Sequence, residues 1–173
     1  MESKNKKTIL IFIDWYVPGY KAGGPIKSIY SLVRYFENDF NFLVITSDTD
    51  FGETAPYPSV KSDTWVKVNN SVSVFYTSKT FLNRRNILNL MKGIKFDVIY
   101  LNSFFSFYFS LLPLLYCKLG IIKKPLLLAP RGMLGKGALK IKSGKKNLAI
   151  NKRVLGSHKY KKKFLKNWRS HGA

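Results

Sequence analysis

The chain has 173 residues, 46% of them hydrophobic and 15% aromatic, and carries 30 Lys and Arg against 9 Asp and Glu for a formal net charge of +21. That is enough apolar material for one domain with a sizeable core, which excludes disorder over most of the length. A single cysteine, Cys117, and two histidines without neighbouring ligands, His158 and His171, exclude a disulfide framework and give no metal-ligand cluster.

The charge is unevenly placed. All 9 acids lie at or before Asp97, whereas 17 of the 30 Lys and Arg follow it. Such a segment must meet something negative, whether nucleic acid, anionic lipid headgroups, a phosphorylated substrate or counterions. The start, MESKNKKTIL, sets basic residues before an apolar run, but the run stops at Asp14 without a small-residue cleavage site. No secretion signal is read there, and a cytoplasmic location is expected.

In chain order, Ile9 to Asp14 has too little polar alternation for a half-exposed strand and predicts one buried on both faces. A loop with Pro18, Gly19, Gly23, Gly24 and Pro25 follows, and then Ile26, Ile29, Tyr30, Val33 and Phe36 fall on one helical face. Strand, glycine-rich loop and helix in succession offer backbone amides to an anion such as phosphate. The pattern is neither Gly-x-Gly-x-x-Gly nor a P-loop, and alone a Gly-Gly-Pro before a helix is more often a tight turn.

Asn41 to Ser47 predicts a second strand, and 48–63, with Gly52, Pro56 and Pro58, a loop. Thr64 to Val68 and Ser71 to Thr77 predict a short hairpin around Asn69-Asn70, a pair that tolerates positive φ. Asn83 to Lys95 puts Ile87, Leu88, Met91 and Ile94 on one side of a helix, and Asp97 to Leu101 reads as a strand.

Residues 98–117 are uncharged, the length of a membrane span. Asn102, Ser103, Ser106, Ser110 and Pro113, with the strand-like start, argue instead for a strand followed by a buried or membrane-touching helix. Leu126 to Ala129 is another buried strand, and a basic helix is expected from Ala138 with Leu139, Ile141 and Leu148 as its apolar residues. Strands alternating with helices predict an α/β, Rossmann-like open parallel sheet with helices on both faces. That domain is expected over 1–156, and the lysine-rich 157–173 as a solvated tail.

Three segments taken together, WYVPGYKAGGPIKSIYSL, DVIYLNSFFS and LLLAPRGMLGKGALKIKSGKK, resemble the amino-terminal domain of a family-four glycosyltransferase of the GT-B fold. The resemblance covers Lys7 to Gly156. It implies two Rossmann-like lobes facing across a cleft, the first taking a glycan or lipid-linked acceptor and the second a nucleotide-sugar, with no metal cofactor. It also implies that Gly23, Gly24, Pro25 and Ser28 approach the donor diphosphate, and that Asn102, Ser103, Arg131 and Gly132 line the acceptor side. Many relatives carry His near Asn102 or Arg131, where this chain has an amide and a guanidinium that cannot act as general bases near neutral pH.

The nucleotide-binding lobe of that family, with its paired glutamates, has no counterpart in this sequence. The expectation is therefore a truncated acceptor-side domain, inactive alone, whose lysine-rich ending is out-of-frame coding. Two alternatives stand beside it. One is a polyanion-binding protein gripping through Lys136 to Arg169, with Tyr160, Phe164 and Trp168 for stacking but no sequence-specific nucleic-acid reader. The other is a peripheral protein on the inner face of the cytoplasmic membrane, docking an anionic leaflet through its lysines and the aromatic segment Phe104 to Phe109.

Overall fold

A computed structural model describes residues 6–130. Six strands form one sheet: β1 (Lys7–Phe12), β2 (Phe40–Ser47), β3 (Trp65–Lys67), β4 (Val72–Thr77), β5 (Val98–Leu101) and β6 (Leu126–Leu128). Their spatial order is β3-β4-β2-β1-β5-β6, and all neighbours run parallel except β3, which is antiparallel to β4. The helices are α1 (Gly24–Phe36), α2 (Arg84–Lys92) and α3 (Leu112–Lys118), the last preceded by a π-helical turn at Phe107–Leu111. The architecture is α/β and Rossmann-like.

β1 is central, and its apolar run is explained by cover on both sides. Leu10 and Phe12 join the core beneath α2 and α3, with Ile87, Met91 and Leu112. Ile11 and Ile13 join the opposite core, beneath α1, with Ile29 and Val33. Alternating side chains therefore both find apolar partners, at about 25 cal/mol per Å² removed from water. Tyr30, expected on the buried face of α1, is instead exposed. Its position falls at the edge of the apolar stripe, where the ring can keep its hydroxyl in water.

The hairpin forms as the sequence suggests, with Trp65 opposite Phe75 and Lys67 opposite Ser73. Its turn does not use positive φ at either asparagine; Asn69 Oδ1 accepts from the Ser71 N–H at 2.9 Å, and Asn69 Nδ2 donates to Glu37 at 2.8 Å. α2 begins at the cap Asn83, whose side chain accepts from the Asn86 N–H at 2.8 Å, and stops before Gly93, short of the expected Lys95. Ile94 still packs on the core, from outside the helix.

The uncharged stretch 98–117 is divided between β5, a short loop, the π-helical turn and α3. Among the described residues no helix is long and apolar enough to cross a membrane. The Ser106 carbonyl accepts from both Ser110 (3.1 Å) and Leu111 (2.9 Å), the shared acceptor of a widened turn. Pro113 gives the reason: its ring crowds the carbonyl four residues earlier and removes one N–H, so the turn ahead of it opens. Phe104 and Phe109 are buried, so of the aromatic segment expected to touch lipid these two rings belong to the interior. Cys117 is half-buried against the same core, and burial pushes its thiol up to about 11. The basic helix expected from Ala138 and the tail at 157–173 lie outside the described residues.

Candidate functional site

The strand order sets the position of the site. From β1 the chain builds outward through β2 to β4, then returns to place β5 on the other side of β1. Loops leaving the carboxyl ends of β1 and β5 diverge at this reversal and leave a crevice, the place where open parallel sheets take their ligands. A cleft of about 220 Å³ occupies it. Its floor is Asp14 from the end of β1 with Asn102 and Ser103 from the end of β5, and its sides include Lys21, Ala22 and Pro25 from the glycine-rich loop.

Each of these is held from behind. The Asp14 carbonyl accepts from the Ser47 N–H at 3.1 Å and the Thr46 hydroxyl at 3.3 Å, which fixes the backbone and hence the direction of its carboxyl. The Asn102 N–H donates to the Phe12 carbonyl at 3.0 Å. Ser103 and Ser110 share a buried hydroxyl contact at 2.7 Å, tying the end of β5 to the π-helical turn. Burial pushes the Asp14 carboxyl above the usual carboxylate range, against hydrogen bonds from Ser106 and Ser103 that pull it down.

The glycine-rich loop is folded by local turns and by one distant acid. Gly19 N–H donates to the Tyr16 carbonyl and Gly23 N–H to the Tyr20 carbonyl, each at 2.9 Å. Asp50, in the loop after β2, accepts from the backbone N–H groups of Tyr20 (2.9 Å), Lys21 (3.2 Å) and Phe51 (2.7 Å). Desolvation raises the Asp50 carboxyl, but these three donors outweigh it and leave it below the usual range. Lys21 reinforces the clasp through an ion pair with Glu53. The Tyr76 hydroxyl donates to the Val17 carbonyl at 2.8 Å and anchors the same loop to β4.

Gly23 caps α1 at φ 68°, ψ −120°, which a side chain would strain. Gly24 is the first helical residue, and among the described residues no side chain caps the helix and a Cβ on Gly24 would meet nothing within 4 Å. A side chain at Gly24 would therefore enter open space, and the Gly24 and Ile26 N–H groups are among those a helix start leaves without intrahelical acceptors.

Of the residues singled out from sequence, Pro25, Asn102 and Ser103 line one cleft, with Gly23 and Gly24 between its lining residues Ala22 and Pro25. Ser28 sits in the second turn of α1, half-buried, and is not part of the lining. Arg131 and Gly132 lie outside the described residues. Asp14, Trp15, Lys21 and Phe51 also line the cleft but were not marked by sequence as site residues. An acid directly after a doubly buried strand was a usable signal for Asp14; Phe51 had none. Among the described residues no group of three or more His, Cys, Asp or Glu could hold a metal ion. No family model, curated protein or solved structure matches this chain.

Proposed function

We propose that this domain is the acceptor-side lobe of a GT-B, family-four-like glycosyltransferase, which moves a sugar from a nucleotide-sugar to a glycan or lipid-linked acceptor without a metal. The observation that carries the proposal is that Pro25, in the first turn of the helix that Gly23 and Gly24 open, lines one cleft at the sheet's reversal point with Asp14, Asn102 and Ser103. Helix-start amides suit the donor diphosphate, and the carboxyl and amide on the other side suit hydroxyls. Turnover in this scheme needs a second, nucleotide-binding lobe across the cleft, and this lobe by itself is expected to bind without transferring.

The test is titration of the full chain with a panel of nucleoside-diphosphate sugars, in wild type and Gly24→Ala. Because a methyl group at Gly24 meets only open space in the protein, it obstructs a diphosphate while leaving the fold intact. A loss of about tenfold or more in affinity is expected, equivalent to about 1.4 kcal/mol. Binding that is absent, or indifferent to the substitution, overturns the proposal, as does efficient sugar transfer by the chain on its own.

A second property is favoured by a separate observation. Phe107, Leu115, Leu119 and Ile121 are exposed on the π-helical turn, on α3 and just after it, Leu119 to 62%, and Lys118, Lys123 and Lys124, close to them in sequence, are exposed too. With no acid after Asp97, this surface suits an anionic bilayer. Flotation with vesicles containing phosphatidylglycerol should be lost in a Leu115→Asp, Leu119→Asp variant. Retained flotation in that variant would assign binding elsewhere and remove this role.

A further inference from the structure

The cleft has an aromatic outer wall that diphosphate binding does not require. Trp15, directly after Asp14, meets Phe51 edge to face, with ring centroids 4.9 Å apart and planes at 82°. Phe51 keeps 53% of its surface exposed. Its position is nevertheless fixed, because the preceding Asp50 accepts from the Phe51 N–H and from the N–H groups of Tyr20 and Lys21, locking two loops together.

The corner therefore joins unlike residues: the edge-to-face rings of Trp15 and Phe51, and, with a smaller polar share, Asp14, Asn102 and Ser103. The nearby ammonium of Lys21 is engaged by Glu53. A phosphate placed here would face the Asp14 carboxyl, and a purely apolar ligand would take water from that carboxyl and leave it only the Ser103 and Ser106 hydroxyls. A pyranose satisfies both halves. Its C–H face is apolar and slightly positive, which fits the negative face of an aromatic ring, and its rim of hydroxyls supplies donors to a carboxylate.

We propose that Trp15 and Phe51, with Asp14 beneath them, form a subsite for one neutral pyranose unit, the ring lying on the aromatic wall and its hydroxyls donating to the Asp14 carboxyl. The subsite rests on the glycosyltransferase reading above and names its acceptor as a sugar unit rather than a lipid or peptide group. It also separates the two ligands, since Asp14 repels the diphosphate toward the glycine side of the cleft.

The experiment is saturation-transfer NMR on the full chain with methyl pyranosides of glucose, galactose, mannose, rhamnose and N-acetylglucosamine, with uridine and adenosine as competing aromatic probes. At least one glycoside should receive saturation at its ring C–H protons, with affinity on the order of millimolar for so few contacts. Trp15→Ala should weaken it about tenfold or more. Phe51→Ala removes an exposed ring without touching the core and should act in the same direction, whereas Tyr35→Ala, an exposed ring on α1, should have no effect. Absence of saturation for every glycoside, transfer only to the nucleosides, or signals unchanged in both Trp15→Ala and Phe51→Ala variants would overturn the subsite. Glycosides carry no phosphate, so their failure alongside Gly24-dependent binding of nucleoside-diphosphate sugars removes the subsite alone, and failure of both ligands removes the underlying reading.

Discussion

The ends of β1 and β2 each lead into a loop with a partly or fully buried aspartate, and the two carboxyls are used in opposite ways. Asp50, after β2, collects three backbone N–H groups from two loops, and its carboxyl is held below the usual range. Asp14, after β1, keeps its carboxyl on the cleft floor, where burial raises it despite the serine hydroxyls. A buried acid supplied with donors strengthens the fold, whereas one left short of donors costs stability and is available to a ligand. Asp50 is thus the structural clasp, and Asp14 the candidate binding group.

The largest way to break this contrast is Asp50→Ala. Removing the acceptor strands the amides of Tyr20, Lys21 and Phe51, so a loss of about 2–3 kcal/mol is expected in urea unfolding, together with weakened ligand binding because the loop loses its fixed form. If stability changes by less than about 0.5 kcal/mol, Asp50 is not the clasp.

Next in size is the glycine pair. Gly23→Ala places a side chain at φ 68° and should cost about 1–2 kcal/mol. Gly24→Ala, at an ordinary helical position with open space around it, should cost nothing or gain up to about 1 kcal/mol. Equal effects on stability from the two substitutions would contradict the cap geometry.

The pH dependence of stability sharpens the contrast further. Asp50, depressed in the fold, contributes stability that is present above the ordinary carboxyl value and lost as pH falls through its folded value. Asp14, raised in the fold, does the reverse: stability drops as pH climbs from the ordinary value through the raised one. Asp14→Asn should therefore remove that drop and leave the protein at least as stable near pH 7, within about 1 kcal/mol of wild type, while impairing glycoside binding. Parallel urea titrations of both variants across acid to neutral pH would show opposite slopes if the assignment holds.

The smallest expected effect is Tyr57→Phe. The Tyr57 hydroxyl is buried without a hydrogen-bond partner among the described residues, and a Cβ on Gly19 would collide with it. Deleting it should be neutral or stabilise by up to about 1 kcal/mol, and a loss above that would mean the oxygen has a structural partner.

Local chemistry made much of the fold legible. The unbroken apolar run of β1 required cover on both faces, Asn83 marked the start of α2, and the Gly-Gly-Pro sequence preceding Ile26, Ile29 and Val33 marked a loop entering a helix. Three of the nine residues that line the cleft were singled out from sequence, Pro25 at the Gly-Gly-Pro helix start and Asn102 and Ser103 through the family resemblance. Tyr30 and Phe104 could not be placed that way, because an aromatic residue satisfies an apolar pattern equally well at the edge of a stripe or within it.

By itself the sequence determined the period of the strands and of α1 and α2, the loops between them, and an alternation of strand and helix that admits a covered parallel sheet, all consequences of bonding and burial within a few residues. Only the tertiary structure decided that β5 returns beside β1, that Asp50 reaches back to the amides of Tyr20 and Lys21, and that Phe51 stands against Trp15 over Asp14. Those contacts join segments about thirty to ninety residues apart, and their selection depends on which strand pairing buries the most apolar surface at once, a global quantity that no short stretch of sequence contains.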